Sequence, residues 1–312
     1  MSAAFATARA PASIGNCAAG FDVLGHSFAG PSDRVTCTRR ADATIEIVAI
    51  HGTEAALPRD AERNTAGRAV LELRRLAGAD DLGVDLEIHK GIPLASGMGG
   101  SAASSVAAVV AANELLPSRQ PVDVLYAAAC AGEAAASGAP HGDNVAPSLL
   151  GGVVIAPKHG APVSVPVPEW LHIALVHPHC QLETRRSREV LAEPFALTAI
   201  TQQTEALALM LAGCFRGDEA LLRRGLRDVL VEPRRAPLVP GFAAVQRAAL
   251  DHQAIGASIA GGGPSVFGWF ASRAAAERGG AAMQRAFADV ALASDVFVSP
   301  VQGPRAEVES CR

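Results

Sequence analysis

The residues best placed to do chemistry form one run, Pro93-Leu94-Ala95-Ser96-Gly97-Met98-Gly99-Gly100-Ser101-Ala102-Ala103-Ser104. Its glycines and serines lead into an alanine- and valine-rich stretch. Glycine tolerates φ > 0 and lets backbone come close to a ligand. The stretch from about Ser101 to Leu116 reads as a helix whose free N–H groups and positive dipole end face the loop. A junction of this kind is an anion site, and the usual anion is phosphate. It is not a Walker A loop, which needs Gly-Lys-Ser/Thr; Lys90 and Lys158 both lie outside such a context. Gly97-x-Gly99-x-x-Ala102 fits the dinucleotide fingerprint only weakly, because Pro93 and its loop separate the glycines from the preceding strand. On the loop alone, close helix packing also explains the glycines.

Two further patches carry glycine beside polar groups. In Pro11-Ala12-Ser13-Ile14-Gly15-Asn16-Cys17-Ala18-Ala19-Gly20-Phe21-Asp22-Val23-Leu24-Gly25, small residues leave room at a surface and Asn16 and Asp22 offer polar groups. An ordinary turn with Asp22 as a cap reads equally well. Gly256 to Ser265, with Gly261-Gly262-Gly263-Pro264 at its centre, reads as a strand, a turn and a strand.

The elements that must hold these patches follow from periodicity. Residues 5–10 and 34–50 read as strands. Asn64 caps a helix over Thr65–Ala77, where Ala66, Ala69, Val70, Leu73 and Leu76 recur at helical spacing and Gly78 stops it. Gly83–His89 alternates and reads as a strand with one buried face. Val122–Ala136 is a helix capped near Ser118 or Asp123 and ended by Ser137-Gly138, and Gly151–Ile155 is a strand. A domain boundary falls after Lys158, giving units of 1–158 and 159–312. Beyond it come a strand at Leu171–Val176, helices over 184–192, 196–213, 217–229 and 241–252, strands at Gly256–Ile259 and Ser265–Phe270, a helix over Arg273–Phe287 and a last strand at Asp295–Ser299. That order is like β-α-β-β-α-β and predicts an α+β domain. The loop near 51–63 and the tail after Gln302 look loosely specified.

Composition narrows the class. The chain has 312 residues, 49% of them hydrophobic, and a net charge of −4, which suits two domains with ample core. Acidic and basic residues are intermixed, so no nucleic-acid tract or polybasic membrane patch is expected. The longest apolar stretches, such as Ala102–Ala112, are too short to span a bilayer, and Met1 to Ala10 lacks the pattern of a signal peptide. The six cysteines fall in no zinc or disulfide spacing; they read as reduced thiols of a cytoplasmic protein. The nine histidines show no H-E-x-x-H, and in the one close pair, His177-Pro178-His179, the proline spoils helical ligand spacing, so it reads as a loop.

In this order and spacing the three glycine patches resemble the three motifs of the GHMP kinase superfamily, over nearly the whole chain. The resemblance is strongest to its homoserine-phosphorylating members. It rests on Pro11-Ala12-Ser13 through Gly25, on His141-Gly142-Asp143-Asn144-Val145-Ala146-Pro147 with Leu150-Gly151-Gly152, on Thr184 with Arg188, and on Glu232-Pro233-Arg234-Arg235 leading into Leu238-Val239-Pro240-Gly241-Phe242. It implies an α+β fold of two domains, the first like domain 2 of ribosomal protein S5 and the second ferredoxin-like, with the site between them. It also implies a homodimer and phosphoryl transfer from ATP to L-homoserine, giving O-phospho-L-homoserine for threonine synthesis. The alternatives are a related kinase of another small acceptor such as mevalonate, and a non-catalytic ligand-binding protein of the same fold.

By that resemblance, backbone N–H groups from Ser96 to Ala103 cradle the ATP phosphates, within a nucleotide segment running from Pro93, Leu94 and Ala95 through Met98, Gly100 and Ala102. Ser101 and Glu133 hold Mg²⁺; by pattern alone Glu133 is an ordinary helix-end glutamate. Asn64 lies near the nucleotide base; as a bare residue it is a helix cap, and capping and ligand contact can coexist. Arg188 and Arg235 take the acceptor's carboxylate and Asp22 its ammonium. Asn16, His141, Asp143 and Thr184 complete the pocket. Arg188, Glu133 and Asp143 act in the transfer, Asp143 by orienting the acceptor hydroxyl, with general base the lesser reading. Gly100, Ala95 and Gly262 depart from residues common in the family, as does the bulkier Ser13-Ile14-Gly15-Asn16, and each bears on nucleotide affinity.

Overall fold

The structure, a computed structural model, describes residues 3–312, apart from the side chains of Ser137 and Thr184. The first half runs β1 (Phe5–Gly15), β2 (Leu24–Arg39), β3 (Ile45–His51), α1 (Thr65–Ala77), β4 (Val84–His89), α2 (Gly100–Leu115), α3 (Val122–Ser137), α4 (Val145–Leu150), β5 (Val153–Ile155) and β6 (Val163–Val165). The second runs β7 (His172–Pro178), α5 (Thr184–Glu189), α6 (Leu197–Arg216), α7 (Glu219–Gly225), α8 (Glu232–Arg235), α9 (Phe242–Asp251), β8 (Gly256–Ile259), β9 (Val266–Phe270), α10 (Arg273–Ala288), β10 (Ser294–Pro300) and β11 (Glu307–Cys311).

Two sheets organise these elements. The larger has the order β11-β1-β2-β4-β3, with β5 on β2 and β6 on β5. Its pairs are antiparallel except β3 with β4, which α1 connects, as a parallel pair requires. The smaller sheet has the order β10-β7-β9-β8 and is antiparallel throughout. Its β-α-β-β-α-β succession is the ferredoxin-like arrangement expected from the element order.

Local chemistry explains the boundaries that sequence reading found. Asn64 accepts from the N–H groups of Ala66 and Gly67, and Gly78 closes α1 at φ 61°, a conformation glycine takes freely. α2 is buried all round, from Ala102 through Leu115, so it is the axis of the first core and not an amphipathic surface helix. Its small side chains let α1 and α3 pack closely on it.

Four expectations need correction. The stretch 34–50 is not one strand: β2 ends at Arg39, and the turn around Ala41-Asp42-Ala43 precedes β3. No side chain caps α3; Pro121 precedes it and Asp123 lies in its first turn, where it complements the dipole. The tail after Gln302 is not loose. Its last residues form β11, paired antiparallel with β1 and held by Arg9 and Arg34 against Glu307 and Glu309. A single cut after Lys158 therefore does not follow the sheets, because β6 and β11 both belong to the larger one.

The two sheets meet through buried groups. His26 on β2 accepts at Nε2 from Trp269 Nε1 on β9 (3.1 Å), and its Nδ1 lies 3.0 Å from the Ser27 carbonyl. An indole N–H only donates, so the His26 proton sits on Nδ1. Burial pushes this imidazole down to about 4. Among the described residues no helix is long and apolar enough to cross a membrane. The six cysteines are free thiols.

Candidate active site

The three glycine patches converge. Ser13 N–H donates to Met98 O (3.2 Å), Gly261 N–H to Gly15 O (3.2 Å), and Ser265 Oγ to Ser96 O (2.6 Å). Gly97 and Gly99 take φ 79° and 67°. A Cβ on Gly97 would stand 2.5 Å from Ala260 O, and one on Gly99 would stand 2.4 Å from Ser13 Oγ. These positions therefore exclude side chains on two grounds. Gly100 has no such φ, so it is not required by backbone strain; Ala95, in contrast, carries a Cβ at φ 52°.

Between the patches lies a cleft of about 180 Å³. Asn16, Asp22, Glu133, His141, Asp143, Arg188 and Arg235 all line it, with Pro93 through Gly97 and Gly99 through Ser101 along one wall. Met98, Ala102 and Ala103 do not line it; their side chains are wholly buried in the core. The Ala103 N–H is committed to Gly99 O (2.9 Å) and the Met98 N–H to Ser96 Oγ (3.3 Å), so the set of amides able to meet an anion is smaller than the whole loop. Asn64 is absent from the cleft lining too. Its amide donates to Pro58 O (2.8 Å) and its oxygen caps α1. Thr184 opens α5, but its side chain lies outside the described residues.

Asp143 is the deepest acid. Its Oδ2 accepts from Asn16 N–H (3.1 Å). Backbone closeness puts it there: a Cβ on Gly25 would meet Asp143 O at 1.7 Å. Burial, with the Asp22 charge adding, pushes this carboxyl up to about 6. Glu133, on the last turns of α3, is 8% exposed. Burial pushes it up to about 7, opposed by a hydrogen bond with Ser101 and helped by Asp143.

Asp22 and Arg188 face each other across the cleft mouth. Arg188 Nη2 donates to Asp22 Oδ1 (3.0 Å) and Nη1 to Oδ2 (3.2 Å). His141 Nδ1 stands 3.5 Å from Asp22 Oδ2, and burial lowers its affinity for a proton. Arg188 Nε is buried without a hydrogen-bond partner. Asn16, at φ 72°, ties this corner together: its Oδ1 accepts from Asp22 N–H (3.1 Å) and its Nδ2 donates to Gly261 O (2.8 Å). Arg235 is 3% exposed and donates to Ser187 O (3.0 Å) and Gly261 O (2.9 Å). Its short helix is positioned by Asp228, whose carboxylate accepts from the N–H groups of Leu230, Val231 and Glu232. Burial and the nearby Arg188 charge lower the Arg235 guanidinium to about 10.

Sequence reading gave no role to two residues, Asn144 and Lys90. Asn144 lines the cleft, and its oxygens accept from Ser13 Oγ at 3.1 Å. Gly261 and Gly262, singled out in the third glycine patch but given no contact there, line it as well. Lys90, set aside as outside any lysine motif, pairs with Asp33 behind the loop and donates to Gly100 O and Ser104 Oγ, both at 2.8 Å. The signal for Asn144 was its place in the Asp143-Asn144 motif; for Lys90 it was a lysine just before the loop.

A glycine loop that opens a buried helix, set against paired acids and arginines at a seam between two α+β sheets, defines a phosphoryl-transfer fold for small acceptors. Comparison agrees. Residues 64–152 match the GHMP kinases N terminal domain and residues 210–289 the GHMP kinases C terminal domain. A homoserine kinase of Xanthomonas campestris pv. campestris (strain B100) is 55% identical over 304 residues, covering 97% of this chain and 94% of the relative. One of Xylella fastidiosa (strain 9a5c) is 51% identical with the same coverage. The crystal structure of homoserine kinase from Cytophaga hutchinsonii superposes with TM-score 0.92 at 38% identity, covering 98% of this chain and 97% of that one. The chain belongs to the homoserine kinases of the GHMP kinase family.

Proposed function

We propose that this protein transfers the γ-phosphoryl group of ATP to the side-chain hydroxyl of L-homoserine, giving O-phospho-L-homoserine for threonine synthesis. The observation that carries the acceptor assignment is the Asp22–Arg188 pair at the cleft mouth. A free amino acid is a zwitterion. Its ammonium replaces Arg188 as the partner of Asp22 and its carboxylate replaces Asp22 as the partner of Arg188, so each charge keeps a counter-charge and none is left buried alone. The buried Arg188 Nε–H supplies a further donor for the carboxylate, a geometry suited to guanidinium. Arg235 adds positive potential, and Asn16 and His141 border the same corner.

The phosphates lie against the loop from Ser96 to Ser101, where backbone N–H groups and the uncapped start of α2 provide positive potential without a lysine. The Ser101 hydroxyl and the Glu133 carboxylate are hard oxygen donors beside that path, which suits Mg²⁺. When bound, the ion neutralises phosphate charge. The raised Glu133 proton affinity fits a carboxylate that awaits a cation. Asp143 accepts the hydrogen bond of the acceptor hydroxyl and aims its oxygen. Phosphoryl transfer is loose, with little charge on the nucleophile, so the proton leaves late and positioning does most of the work. Asp143→Asn, which keeps the shape, is expected to slow turnover about tenfold to a hundredfold, read in kcat; unchanged turnover removes Asp143 from the reaction.

ADP release with Mg²⁺-ATP, compared among L-homoserine, L-serine, mevalonate and no acceptor, tests the assignment. A rate that needs homoserine supports it. A rate with mevalonate alone moves the acceptor, and no rate with any acceptor moves the protein to ligand binding without transfer.

A further inference from the structure

A cluster away from the cleft combines two imidazoles and a carboxylate. His51 ends β3, and Glu87 and His89 lie on β4, its parallel neighbour. Glu87 and His89 are two residues apart, so they share a face of the sheet. His51 reaches their level because of an irregularity in β3. The register runs Ile47 with Leu86 and then Ala49 with Glu87, which skips Val48 and brings His51 opposite His89. Continuous pairing would have set Ile50 there. Bulges of this kind re-aim side chains.

We propose that His51, Glu87 and His89 form a second metal site, which takes a divalent transition-metal ion such as Zn²⁺. His51 Nε2 lies 3.0 Å from Glu87 Oε1, and His89 Nε2 lies 3.2 Å from the same oxygen. The three ligand atoms all fall within 4.8 Å of one another. Bonds of about 2.0–2.1 Å from a tetrahedral ion place neighbouring ligand atoms roughly 3.3 Å apart, so closing around an ion needs only small side-chain adjustments. The imidazole rings already stack with centroids 4.5 Å apart and planes at 22°, each with its Nε2 near the same Glu87 oxygen. Each ring carries its remaining proton on Nδ1 when Nε2 binds the ion.

The surroundings permit a cation. The three side chains are between 43% and 49% exposed, so water can supply the fourth ligand. Arg34, which pairs with His89 across β2, is held by two hydrogen bonds to Glu309, and that carboxylate offsets its charge. Lys90 follows His89, but its ammonium is turned inward to Asp33 and Ser104. Two imidazoles and one carboxylate favour Zn²⁺, Ni²⁺ or Co²⁺ over Mg²⁺, so this site selects a different ion from the cleft. A bound ion would tie together the ends of β3 and β4, where the segments 52–64 and 90–99 begin.

The test is titration of the full chain with Zn²⁺ by calorimetry, with melting temperature and the Co²⁺ absorption spectrum alongside. One equivalent is expected to bind and to raise the melting temperature. His51→Ala, His89→Ala and Glu87→Gln should each weaken that binding at least tenfold, while phosphoryl transfer with Mg²⁺-ATP is unchanged. The Co²⁺ spectrum should lack thiolate charge-transfer bands. Equal Zn²⁺ uptake by the wild type and the three variants overturns the site, as does thiolate absorption, which would assign the ion to cysteine.

Discussion

Two buried charged groups flank the glycine loop, and they differ in what completes them. Behind the loop, Lys90, Asp33 and Ser104 complete one another. Ser104 Oγ donates to Asp33 Oδ2 (2.6 Å), the Gly91 and Ile92 N–H groups donate to Oδ1 (3.0 and 3.1 Å), and Lys90 holds the Gly100 carbonyl at the start of α2. In front of the loop, Glu133 and Asp143 sit in a cleft where burial raises both carboxyls well above the carboxylate range. The first group shapes the loop. The second lines the cleft, where Asp143 accepts from the Asn16 N–H and Glu133 faces Ser101. Buried polarity is therefore closed into a network on one side of the loop and opens onto the cleft on the other, where we propose that it serves the chemistry.

The comparison breaks most visibly at Lys90. Lys90→Met removes one member of a closed network and leaves the Asp33 carboxylate buried without its cation. It should destabilise the protein by about 3–5 kcal/mol, measured by denaturant unfolding at pH 7. A loss below about 1 kcal/mol would mean that the network does not organise the loop. In the cleft the corresponding change should act on the substrate and not on the fold. Arg188→Ala removes charge-assisted bonds worth about 1.5–3 kcal/mol and should raise KM for homoserine roughly tenfold to a hundredfold, with little change in KM for ATP. An equal rise for both would place Arg188 outside the acceptor pocket. The smallest effect concerns the seam between the sheets. The His26 ring should stay neutral, with its proton on Nδ1, down to about pH 4. Nitrogen NMR of the folded protein reads this directly, and protonation near pH 6 would show that the seam admits water.

Much of this was legible in the sequence, and the limits have physical causes. α1 was read to the residue because Asn64 and Gly78 mark its ends by local chemistry. The three glycine patches were visible because loops that must approach one another closely need residues without side chains. β11 was not legible: its pairing with β1 joins residues about three hundred positions apart, and the exposed, charged Glu307–Cys311 carries no apolar alternation. In the site, Asp22 and Arg188 were seen as separate ligand groups, but their mutual clamp is a tertiary fact. Asn64 was assigned by motif position, and only the geometry shows both ends of its amide spent on the backbone. Lys90 was passed over because its partner Asp33 lies on a different strand.

Glu133 tests the central contrast most directly, through stability and turnover measured on one variant. Its folded carboxyl titrates near 7, against an ordinary value of about 4.3 in an unfolded chain. Below the unfolded value both states are protonated and the residue contributes nothing. As pH rises from there to about 7 the unfolded chain ionises first, so the native state loses stability, by roughly 4 kcal/mol once both are charged. Glu133→Gln removes that loss. The measurement is the melting temperature of the wild type and Glu133→Gln from pH 5 to pH 8, together with kcat. The account predicts that the variant is the more stable at pH 8, that its advantage shrinks towards pH 5, and that its turnover falls at least about a hundredfold, or about 2.7 kcal/mol in barrier. A variant that is less stable at pH 8, or that keeps its turnover, would contradict a carboxylate held in the cleft for catalysis.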